Sequence, residues 1–412
     1  MQRSFPMKDT KKKKNKKWLK FRHKVVHAIL RYPVHLICIL KYGIKIEKYH
    51  GDKKRPCLVL YNHQTAFDQF FVGLAFRQPI YYLATEDIFS NGWVSSLIKY
   101  LVEPIPIKKQ TTDIKAILNC MRVGKEGGSI AIAPEGNRTY SGETVYMSPA
   151  IASLARKLNM PVMLYRIEGG YGVQPRWSNV TRRGKMRSYV SRVIEPEEYK
   201  DLTDKELFDI IKEGLYVNEA KLDGEYHSEH LAEYLERTIY YCPDCGLSEF
   251  ESKGDIIKCK KCGKTVRYTP TKELVGVECY FPHHFVLDWY NAQSDFMNSF
   301  DLSPYYDKPI CTDRAEMKEV IPSEKKIPYG YASITLYGDR LELSCKETTL
   351  TCSFSDCSTI TVLGKNKLNI YHNGKIYQLK GNERFCALKY VHIYNRYKNI
   401  QKGDENDKFL GL

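Results

Sequence analysis

Hydrophobic and polar residues follow different patterns in the two halves of this chain of 412 residues. In the first half, unbroken apolar runs such as CLVLY (57–61) and SIAIA (129–133) have the length of buried strands. They alternate with segments such as 114–121, in which apolar residues stand three and four positions apart. From about residue 326, short alternating runs and glycine turns replace the helices. The pattern predicts an α/β domain followed by a small antiparallel β domain.

The β-rich stretch (326–400) also contains turn and helix signals. Asn373 and Gly374 form a pair that favours a type I′ hairpin, because both residue types tolerate positive φ. Apolar residues of the segment 385–391 have helical spacing, so we expect a helix after the strands. This order is similar to that of pleckstrin-homology and GRAM-like domains, which implies docking to a lipid or a partner. A purely structural extension is the alternative.

A histidine and an aspartate stand five positions apart where the run CLVLY ends. His63 follows this strand-like run, and open α/β sheets carry their chemistry at the carboxyl ends of strands. A neutral imidazole is the usual general base near pH 7, and a carboxylate on its other ring nitrogen fixes its tautomer. His63 and Asp68 are therefore candidate catalytic residues. The alternative is an ordinary loop histidine, with Asp68 in the first turn of a following helix.

A second polar segment, PEGNR (134–138), follows the run SIAIA. Glu135 and Arg138 flank a turn at Gly136, and the planar guanidinium of Arg138 suits bidentate binding of a phosphate or a carboxylate. A surface turn with a solvated ion pair is the alternative. Two strand ends of the first half thus offer groups suited to chemistry.

NHQTAFD (62–68) and PEGNR, with about seventy residues between them, together resemble the two most specific motifs of the glycerolipid acyltransferase family. The resemblance covers roughly residues 25–215 and implies a mixed sheet flanked by helices. It also implies that His63 takes the proton from a substrate hydroxyl, that Asp68 orients His63, and that the hydroxyl attacks an acyl thioester directly. The residues implied to hold the glycerol phosphate of the acceptor are Glu135, Gly136 and Arg138.

Two further family motifs are present in a weaker form. EPIPIKKQ (103–110) has Lys108 and Lys109 where the family carries an arginine. A lysine meets a phosphate as a point charge without bidentate geometry, and we expect these two lysines to contact the substrate. MPVMLYRIEGG (160–170) lacks the second proline of the last motif. These departures affect the choice of acceptor more than the reaction.

Thirteen cysteines occur in the chain, and four of them form two CxxC pairs separated by thirteen residues. Thiolates bind Zn²⁺ tetrahedrally, and Gly246 and Gly263 just beyond the pairs permit the tight turns. The spacing predicts a closed, structural zinc ribbon, with disulfides as the alternative. Free thiolates and the odd total indicate a reducing compartment. The expected ligands are Cys242, Cys245, Cys259 and Cys262.

The resemblance implies an O-acyltransferase that moves a fatty acyl chain from acyl-CoA or acyl-carrier protein to the free hydroxyl of 1-acylglycerol 3-phosphate, which gives phosphatidic acid. Other lysophospholipids and glycerol 3-phosphate are alternative acceptors. A second class of function is a ribbon-bearing nucleic-acid or protein-docking factor, which the net charge of +16 allows. However, the ribbon is not strongly basic and its aromatic residues form no stacking series, so no nucleic-acid partner is expected.

The N-terminal segment combines positive charge with apolar residues. Residues 11–24 are mostly basic, with Trp18 and Phe21 among the lysines, and the apolar stretch that follows is interrupted by charges and by Pro33. A spanning helix needs about 20 mostly apolar residues, so the sequence favours an interfacial helix on an anionic membrane surface. A solvated tail is the alternative for the first ten residues, and no signal peptide is expected. The expected location is the cytoplasmic face of the cell membrane, with a peripheral or monotopic attachment.

Changes of composition divide the chain into successive units. An aromatic-rich segment between the ribbon and the β-rich stretch is expected to form a helix from about residue 285 to 300. The expected units are a basic arm (1–24), an interfacial helix (25–45), a catalytic domain (46–220), a zinc ribbon (236–270), a linker with the aromatic-rich helix (271–325) and a PH-like β domain (326–400).

Overall fold

A computed structural model of the chain describes residues 17–52, 55–85, 88–89, 92–107, 113–144, 146–322, 324–345, 349–403 and 410. In these ranges the first half forms a mixed sheet with helices. Smaller antiparallel sheets follow, and a larger antiparallel sheet forms the C-terminal part. The expected order of an α/β part followed by a β-rich part is confirmed.

A seven-stranded mixed sheet is the centre of the first half. Its strands are β1 (Ile44–Ile46), β2 (Leu58–Tyr61), β3 (Ile80–Thr85), β4 (Ile105–Ile107), β5 (Ser129–Ile132), β6 (Val162–Glu168) and β7 (Met186–Ile194). The strand order is β1-β7-β6-β2-β5-β3-β4. β6, β2, β5, β3 and β4 are parallel, whereas β7 is antiparallel to β6 and parallel to β1. β2 therefore lies in the middle of the sheet.

Helices cover both faces of this sheet, which is why β2 is apolar throughout. They are α1 (Phe21–Tyr42), α2 (Asp68–Ala75), α3 (Trp93–Leu101), α4 (Ile114–Lys125), α5 (Ala150–Leu158), α6 (Gly170–Val173), α7 (Pro196–Tyr199) and α8 (Asp204–Leu215). Leu58 and Leu60 of β2 face a core shared with α4, α5 and α8. Val59 and Tyr61 face the opposite core, shared with α1 and α2.

α4 confirms the helix predicted from the spacing over 114–121, and α5 and α8 bury apolar residues of the same helical spacing. The side chain of Asp113 accepts a hydrogen bond from the N–H of Ala116 and caps α4. α8 begins at a capping box, in which Thr203 and Glu206 each accept a backbone N–H of the other. Local sequence signals therefore fix where these helices begin.

α1 begins four residues before the expected start at 25 and continues through Pro33. It ends at Gly43, whose φ of 60° is in the left-handed region that glycine adopts readily. In the described ranges, α1 is the one helix that is long and apolar enough to cross a membrane, by length and composition. Most of its apolar side chains are exposed, and His23, Cys38 and Tyr42 are its buried residues.

The middle of the chain consists of short strands and one long helix. A hairpin of β8 (Tyr241–Cys242) and β9 (Gly246–Leu247) precedes an antiparallel sheet. Its strands are β10 (Phe250–Lys253), β11 (Ile256–Cys259), β12 (Thr265–Tyr268) and β13 (Leu274–Gly276). The predicted aromatic-rich helix is α9 (Val286–Ser299).

The C-terminal part is a seven-stranded antiparallel sheet that ends in a helix. It contains β14 (Cys311–Val320), β15 (Lys326–Leu336), β16 (Arg340–Ser344), β17 (Thr349–Ser353), β18 (Cys357–Leu363), β19 (Lys367–His372), β20 (Lys375–Gly381) and α10 (Ala387–Lys402). The strand order is β17-β16-β15-β14-β20-β19-β18, and α10 contacts β18. Asn373 and Gly374 have φ of 48° and 74°, as a type I′ turn requires.

β14 lies in the stretch 271–325, which the sequence assigned to a linker. The sheet therefore begins earlier than expected, because β14 pairs with both β15 and β20. Ala315 and Met317 face the core, but charged residues alternate with them on the outer face. Because charged residues alternate with the core-facing ones, the segment is polar on average and its sequence does not indicate a strand.

The two halves of the molecule share one hydrophobic core. Tyr140 and Trp177 of the first half belong to the same buried cluster as Trp289 and Tyr290 of α9 and the inner face of the C-terminal sheet. The ring of Tyr140 stacks on that of Tyr290, with 6.4 Å between ring centroids. Because Tyr140 comes two residues after Arg138, the second half packs directly on the segment that follows PEGNR.

Candidate active site

Two strand ends meet at one edge of the first sheet. β2 and β5 are adjacent and parallel, so their carboxyl ends lie side by side. His63 comes two residues after the end of β2, and Glu135 comes three residues after the end of β5. The structure thus brings NHQTAFD and PEGNR together.

Asn62 fixes the point at which the first motif leaves the sheet. Its Nδ2 donates to the carbonyl of Ile167 at 2.8 Å, and its Oδ1 accepts the N–H of Ile167 at 2.7 Å. Ile167 belongs to β6, the other neighbour of β2. The side chain of Asn62 therefore replaces a strand pairing, which gives the following histidine a defined starting position.

Asp68 holds the ring of His63. Nδ1 of His63 lies 2.7 Å from Oδ2 of Asp68. Because the carboxylate accepts, Nδ1 carries the hydrogen, and Nε2 of the neutral ring keeps its lone pair. The His63 side chain is 24% exposed, whereas that of Asp68 is fully buried. Nε2 is therefore the atom that can take a proton from a substrate.

The carboxylate of Asp68 is surrounded by donors. It accepts the N–H of Gln64 at 2.7 Å, the N–H of Thr65 at 2.9 Å and the hydroxyl of Thr65 at 2.7 Å. Asp68 is also the first residue of α2, where the helix dipole favours a negative charge. Asp68 thus stands in the first turn of a helix and also contacts the ring of His63, and these contacts fix its position in the core.

Glu135 holds the backbone of His63. Its Oε1 accepts the N–H of His63 at 2.7 Å, and the N–H of Thr139 donates to the carbonyl of His63 at 3.2 Å. Burial raises the pKa of the Glu135 carboxyl to about 8. The contact of Glu135 in the site is therefore with the loop that carries the histidine.

Arg138 is a partly buried cation that forms no ion pair with the residues that the structure describes. Within the described ranges its Nη1 has no hydrogen-bond partner. Burial and the neighbouring charge of Arg176 lower the pKa of Arg138 to about 10, so the guanidinium stays charged at neutral pH. Arg176 donates from Nη1 to the carbonyl of Arg138 at 2.9 Å, and it lies over the ring of Tyr140 at 4.0 Å. A bound anion would offset the cost of burying this pair of cations.

Gly136 forms the turn between Glu135 and Arg138. Its φ of 71° is in the left-handed region, and its N–H donates to the carbonyl of Ala133 at 3.1 Å. A Cβ at this position would meet no atom within 4 Å, so the backbone conformation, and not crowding, requires glycine. The exposed Gly136 leaves its backbone open to a ligand.

Lys108 and Lys109 lie outside the described residues. The strand before them, β4, ends at Ile107 and is parallel to β3. Its carboxyl end therefore belongs to the same edge of the sheet as that of β2, with β5 and β3 between them. Their expected contact with substrate stays a prediction.

The four cysteines of the CxxC pairs form a second, separate cluster. Their sulfur atoms all lie within 4.8 Å of one another, and those of Cys242 and Cys262 are 3.7 Å apart. Four sulfurs at about 2.3 Å from a tetrahedral Zn²⁺ are about 3.8 Å apart, so the donor set and its size fit this ion. Gly246 and Gly263 have φ of 68° and 78°, as the expected tight turns require.

Two cations near Arg138 were not found from the sequence. Arg176 lies 38 positions from Arg138, and Lys365 reaches the first half from the turn between β18 and β19. No pattern in the sequence indicates what Lys365 contacts. Neither cation belongs to a motif, and only the tertiary packing reveals them.

Comparison with known proteins identifies the first half. Residues 44–167 match the family model described as Acyltransferase. The chain is 23% identical to the 1-acyl-sn-glycerol-3-phosphate acyltransferase of Bacillus subtilis over 192 residues. These residues cover 46% of this chain and 93% of that protein. A match to a chloroplastic 1-acyl-sn-glycerol-3-phosphate acyltransferase of Brassica napus has 24% identity over 143 residues, 34% of this chain and 41% of that protein.

Among solved structures, the 1-acyl-sn-glycerophosphate (LPA) acyltransferase PlsC of Thermotoga maritima matches 47% of this chain and 78% of that chain, with a TM-score of 0.38 and 18% identity. The family match covers both strand-end motifs, from His63 to Arg138, and ends before the cysteine cluster. The resemblance inferred from NHQTAFD and PEGNR is confirmed.

Proposed function

We propose that this chain, which carries an acyltransferase domain at residues 44–167, transfers a fatty acyl group from an acyl thioester to the free hydroxyl of 1-acylglycerol 3-phosphate. The product is phosphatidic acid. The observation that carries the proposal is the 2.7 Å bond between Nδ1 of His63 and Asp68. The same sheet edge holds Arg138, whose Nη1 has no hydrogen-bond partner among the described residues.

His63 handles the proton in the proposed reaction. Nε2 takes the proton of the acceptor hydroxyl as its oxygen attacks the thioester carbonyl and the C–O bond forms. The C–S bond then breaks, and the leaving thiol takes the proton from Nε2. Asp68 keeps the ring in the tautomer that can accept this proton and stabilises the imidazolium between the two steps.

Arg138 and the turn at Gly136 bind the phosphate of the acceptor. A phosphate monoester carries about two negative charges at neutral pH, and a guanidinium meets two of its oxygens in one plane. Glu135 acts mainly as a positioning residue for His63, because its carboxyl bonds to the backbone of that residue. Contact of Lys108 and Lys109 with the substrate stays part of the proposal, from their place in the sequence directly after β4.

A panel of acceptors with labelled donors tests this function. The purified protein is incubated with acyl-CoA or acyl-carrier protein and with lysophosphatidate, other lysophospholipids or glycerol 3-phosphate, and labelled lipid products are separated. We expect the largest kcat/KM with lysophosphatidate and label in phosphatidic acid. Transfer to another acceptor at a higher kcat/KM would assign the enzyme to that acceptor, and no transfer with any pair would contradict an acyltransferase function.

We also propose that the cysteine cluster binds structural Zn²⁺ in a ribbon formed by β8 to β12. Four thiolates close the coordination sphere, so the ion would hold the fold and leave no open position for chemistry. We expect one zinc ion per chain in metal analysis of the purified protein. Cys259→Ser should lower the zinc content and the unfolding temperature, whereas Cys345→Ser in the C-terminal sheet should change neither.

The exposed apolar surface of α1 and α3 supports attachment to a membrane. Apolar side chains on α1 lie three and four positions apart, and α3 contacts α1, with Arg22 stacked on Tyr100 at 4.4 Å. The exposed residues of this surface are Ile29, Tyr32, Leu36 and Leu40 of α1 and Trp93, Leu97 and Tyr100 of α3. We propose a peripheral or monotopic enzyme on the cytoplasmic face, held on anionic lipid by this surface and the basic arm.

Sedimentation with vesicles tests this attachment. We expect binding to vesicles that contain anionic lipid, and a weaker binding for Trp93→Ala than for Tyr280→Ala, because Tyr280 is equally exposed but lies in the middle of the chain. Gel shifts on mixed DNA and RNA serve as the comparison. Tighter binding to nucleic acid than to vesicles would favour the nucleic-acid function instead.

The C-terminal part supports a PH- or GRAM-like unit with a docking role. Its seven consecutive antiparallel strands and final helix α10 have the element order of such domains. Its extended core with Tyr140 and Trp177 also makes it a structural support for the acyltransferase domain. Vesicle binding of the protein with altered exposed residues of β15, such as Tyr331→Ala, distinguishes a lipid-docking role from a purely structural one.

A further inference from the structure

The turn between β18 and β19 reaches from the C-terminal sheet to the first half of the molecule. Nζ of Lys365 in this turn donates to Oδ1 of Asn179 at 3.1 Å. Asn179 lies in the loop between α6 and β7. The same Oδ1 accepts a hydrogen bond from Arg237 at 2.9 Å, and Arg237 also donates to the carbonyl of Trp177 at 2.7 Å. The ammonium of Lys365 is thus fixed at a defined place on the acyltransferase domain.

Lys365 lies among cations. Burial, together with the charges of Arg138, Arg237 and Lys41 in decreasing order, lowers the pKa of its ammonium to about 8. Arg138 is the partly buried arginine of PEGNR, and its Nη1 has no partner in the part of the chain that the structure describes. Lys41, at the end of α1, lies 4.8 Å from the ring centre of Phe67 in NHQTAFD. Asn179, which binds Lys365, comes three residues after Arg176, and Arg176 donates to the carbonyl of Arg138 at 2.9 Å. Cations from separate parts of the chain therefore lie beside both motifs.

The C-terminal sheet is held rigidly enough to position such a group. Arg384 pairs with Glu236, and the hydroxyl of Tyr234 donates to Glu383 at 3.0 Å, next to the end of β20. The shared core with Tyr140 continues this contact to the residues that follow Arg138. The turn with Lys365 is therefore part of one packed body with the site.

We propose that Lys365, supplied by the C-terminal sheet, completes with Arg138 and Lys41 the binding site for the phosphate monoester of the acceptor. The inference rests on the proposed function, and it makes Lys365 a specificity-determining residue for a doubly charged headgroup. An ammonium has three donors, so Lys365 can keep its bond to Asn179 and still bind a phosphate oxygen. The part of the chain beyond the acyltransferase match thus contributes directly to substrate choice.

A phosphate monoester satisfies this group of cations better than other headgroups. It carries about two negative charges and three terminal oxygens at neutral pH, whereas a phosphodiester carries one charge and two such oxygens. Each additional cation therefore favours lysophosphatidate over a lysophospholipid with a diester headgroup. Inorganic phosphate should bind at the same place and compete with the acceptor.

The test compares Lys365→Ala with Lys380→Ala, a matched variant of an exposed lysine on β20. KM and kcat are measured with lysophosphatidate and with lysophosphatidylglycerol. Loss of one charge-assisted hydrogen bond should raise the KM of Lys365→Ala for lysophosphatidate roughly 10-fold, with kcat within about 2-fold of wild type. The KM for lysophosphatidylglycerol should rise less, inhibition by inorganic phosphate should weaken, and Lys365→Arg should restore most of the loss. Lys380→Ala should resemble the wild type.

Equal KM values for Lys365→Ala and wild type, in a protein that acylates lysophosphatidate, would overturn the inference and leave the proposed function in place. If the alanine variant lowers the unfolding temperature, Lys365→Gln, which keeps the polarity without the charge, gives the same comparison. A wild type that does not acylate lysophosphatidate overturns the proposed function instead. In that case the role of Lys365 is tested by equilibrium binding of lysophosphatidate without an acyl donor. A dissociation constant that is the same for Lys365→Ala and the wild type contradicts its role in binding.

Discussion

The loop of the first motif and the turn of the second motif lie at the same sheet edge, but the protein satisfies their buried charges to different degrees. The carboxylate of Asp68 receives hydrogen bonds from His63, Gln64 and Thr65. The guanidinium of Arg138 has an unpartnered nitrogen in the described structure and another cation, Arg176, beside it. The carboxylate proposed to orient the base is therefore fully hydrogen-bonded within the described residues, whereas the guanidinium proposed to bind the acceptor has a nitrogen that none of them satisfies.

This difference separates chemistry from binding. Residues of the complete loop should affect kcat when they are changed, because they act on the proton transfer. Residues of the incomplete turn should affect KM, because the substrate supplies the missing charge.

Asp68→Asn should have the largest effect. An amide has one accepting oxygen in place of the two of a carboxylate, so it cannot accept both the Nδ1 hydrogen of His63 and the backbone N–H groups. The His63 ring is then no longer held in the required tautomer and orientation. We expect kcat to fall about 1000-fold, measured with saturating lysophosphatidate and acyl-CoA. Asp113→Asn, at the cap of α4, is the matched control and should stay near wild type, since Asn caps helices as well as Asp. An Asp68→Asn enzyme within 10-fold of wild type would contradict the role of the loop.

Arg138→Ala should affect the binding of the acceptor more than the reaction step. Removal of the guanidinium takes away a bidentate phosphate contact, so KM for lysophosphatidate should rise roughly 10- to 100-fold with a smaller change in kcat. Arg138→Lys should recover part of the loss, because a lysine keeps the charge without the planar fork. Arg192→Ala, an exposed arginine of β7, is the control. A fall in kcat at constant KM would show that Arg138 acts in the reaction step, which would contradict the separation between catalytic loop and binding turn.

Glu135→Gln should have the smallest effect, on stability. The pKa of Glu135 is about 8 in the folded protein and about 4.5 in the unfolded chain, because burial disfavours the charged carboxylate. Between these values only the folded state keeps the proton, so the free energy of unfolding falls as pH rises from about 5 to about 8 and is then constant. Glu135→Gln removes this contribution.

The difference in slope can be measured by urea unfolding across this pH range. Across this range we expect the free energy of unfolding to fall by about 2 kcal/mol more in the wild type than in Glu135→Gln. Each unit of pKa difference corresponds to about 1.4 kcal/mol, so this value represents part of the full difference. Parallel stability curves for the two proteins would contradict a buried, protonated Glu135.

The sequence predicted what local signals encode. His63 and Asp68 were identified because a strand, a turn and the first turn of a helix lie within one short segment, and the capping box at Thr203 is equally local. The four cysteines were identified from their spacing. The turn at Asn373 followed from the residue types that tolerate positive φ.

Other features depend on contacts that are distant in sequence. The role of Glu135 as a partner of the His63 backbone requires the register of β2 against β5. The position of Lys365 requires the packing of a whole sheet on the first half. β14 was missed for a different reason, because charged residues on its exposed face mask the alternation. The predicted interfacial helix corresponds to α1, which begins four residues earlier than expected and continues through Pro33.

The most direct test of the separation between chemistry and binding is the equilibrium binding of lysophosphatidate to His63→Ala, with turnover measured on the same sample. Because the turn with Arg138 is untouched, we predict a dissociation constant within about 3-fold of wild type while acyl transfer falls at least about 1000-fold. Near-normal turnover, or a loss of affinity as large as that of Arg138→Ala, would contradict the account.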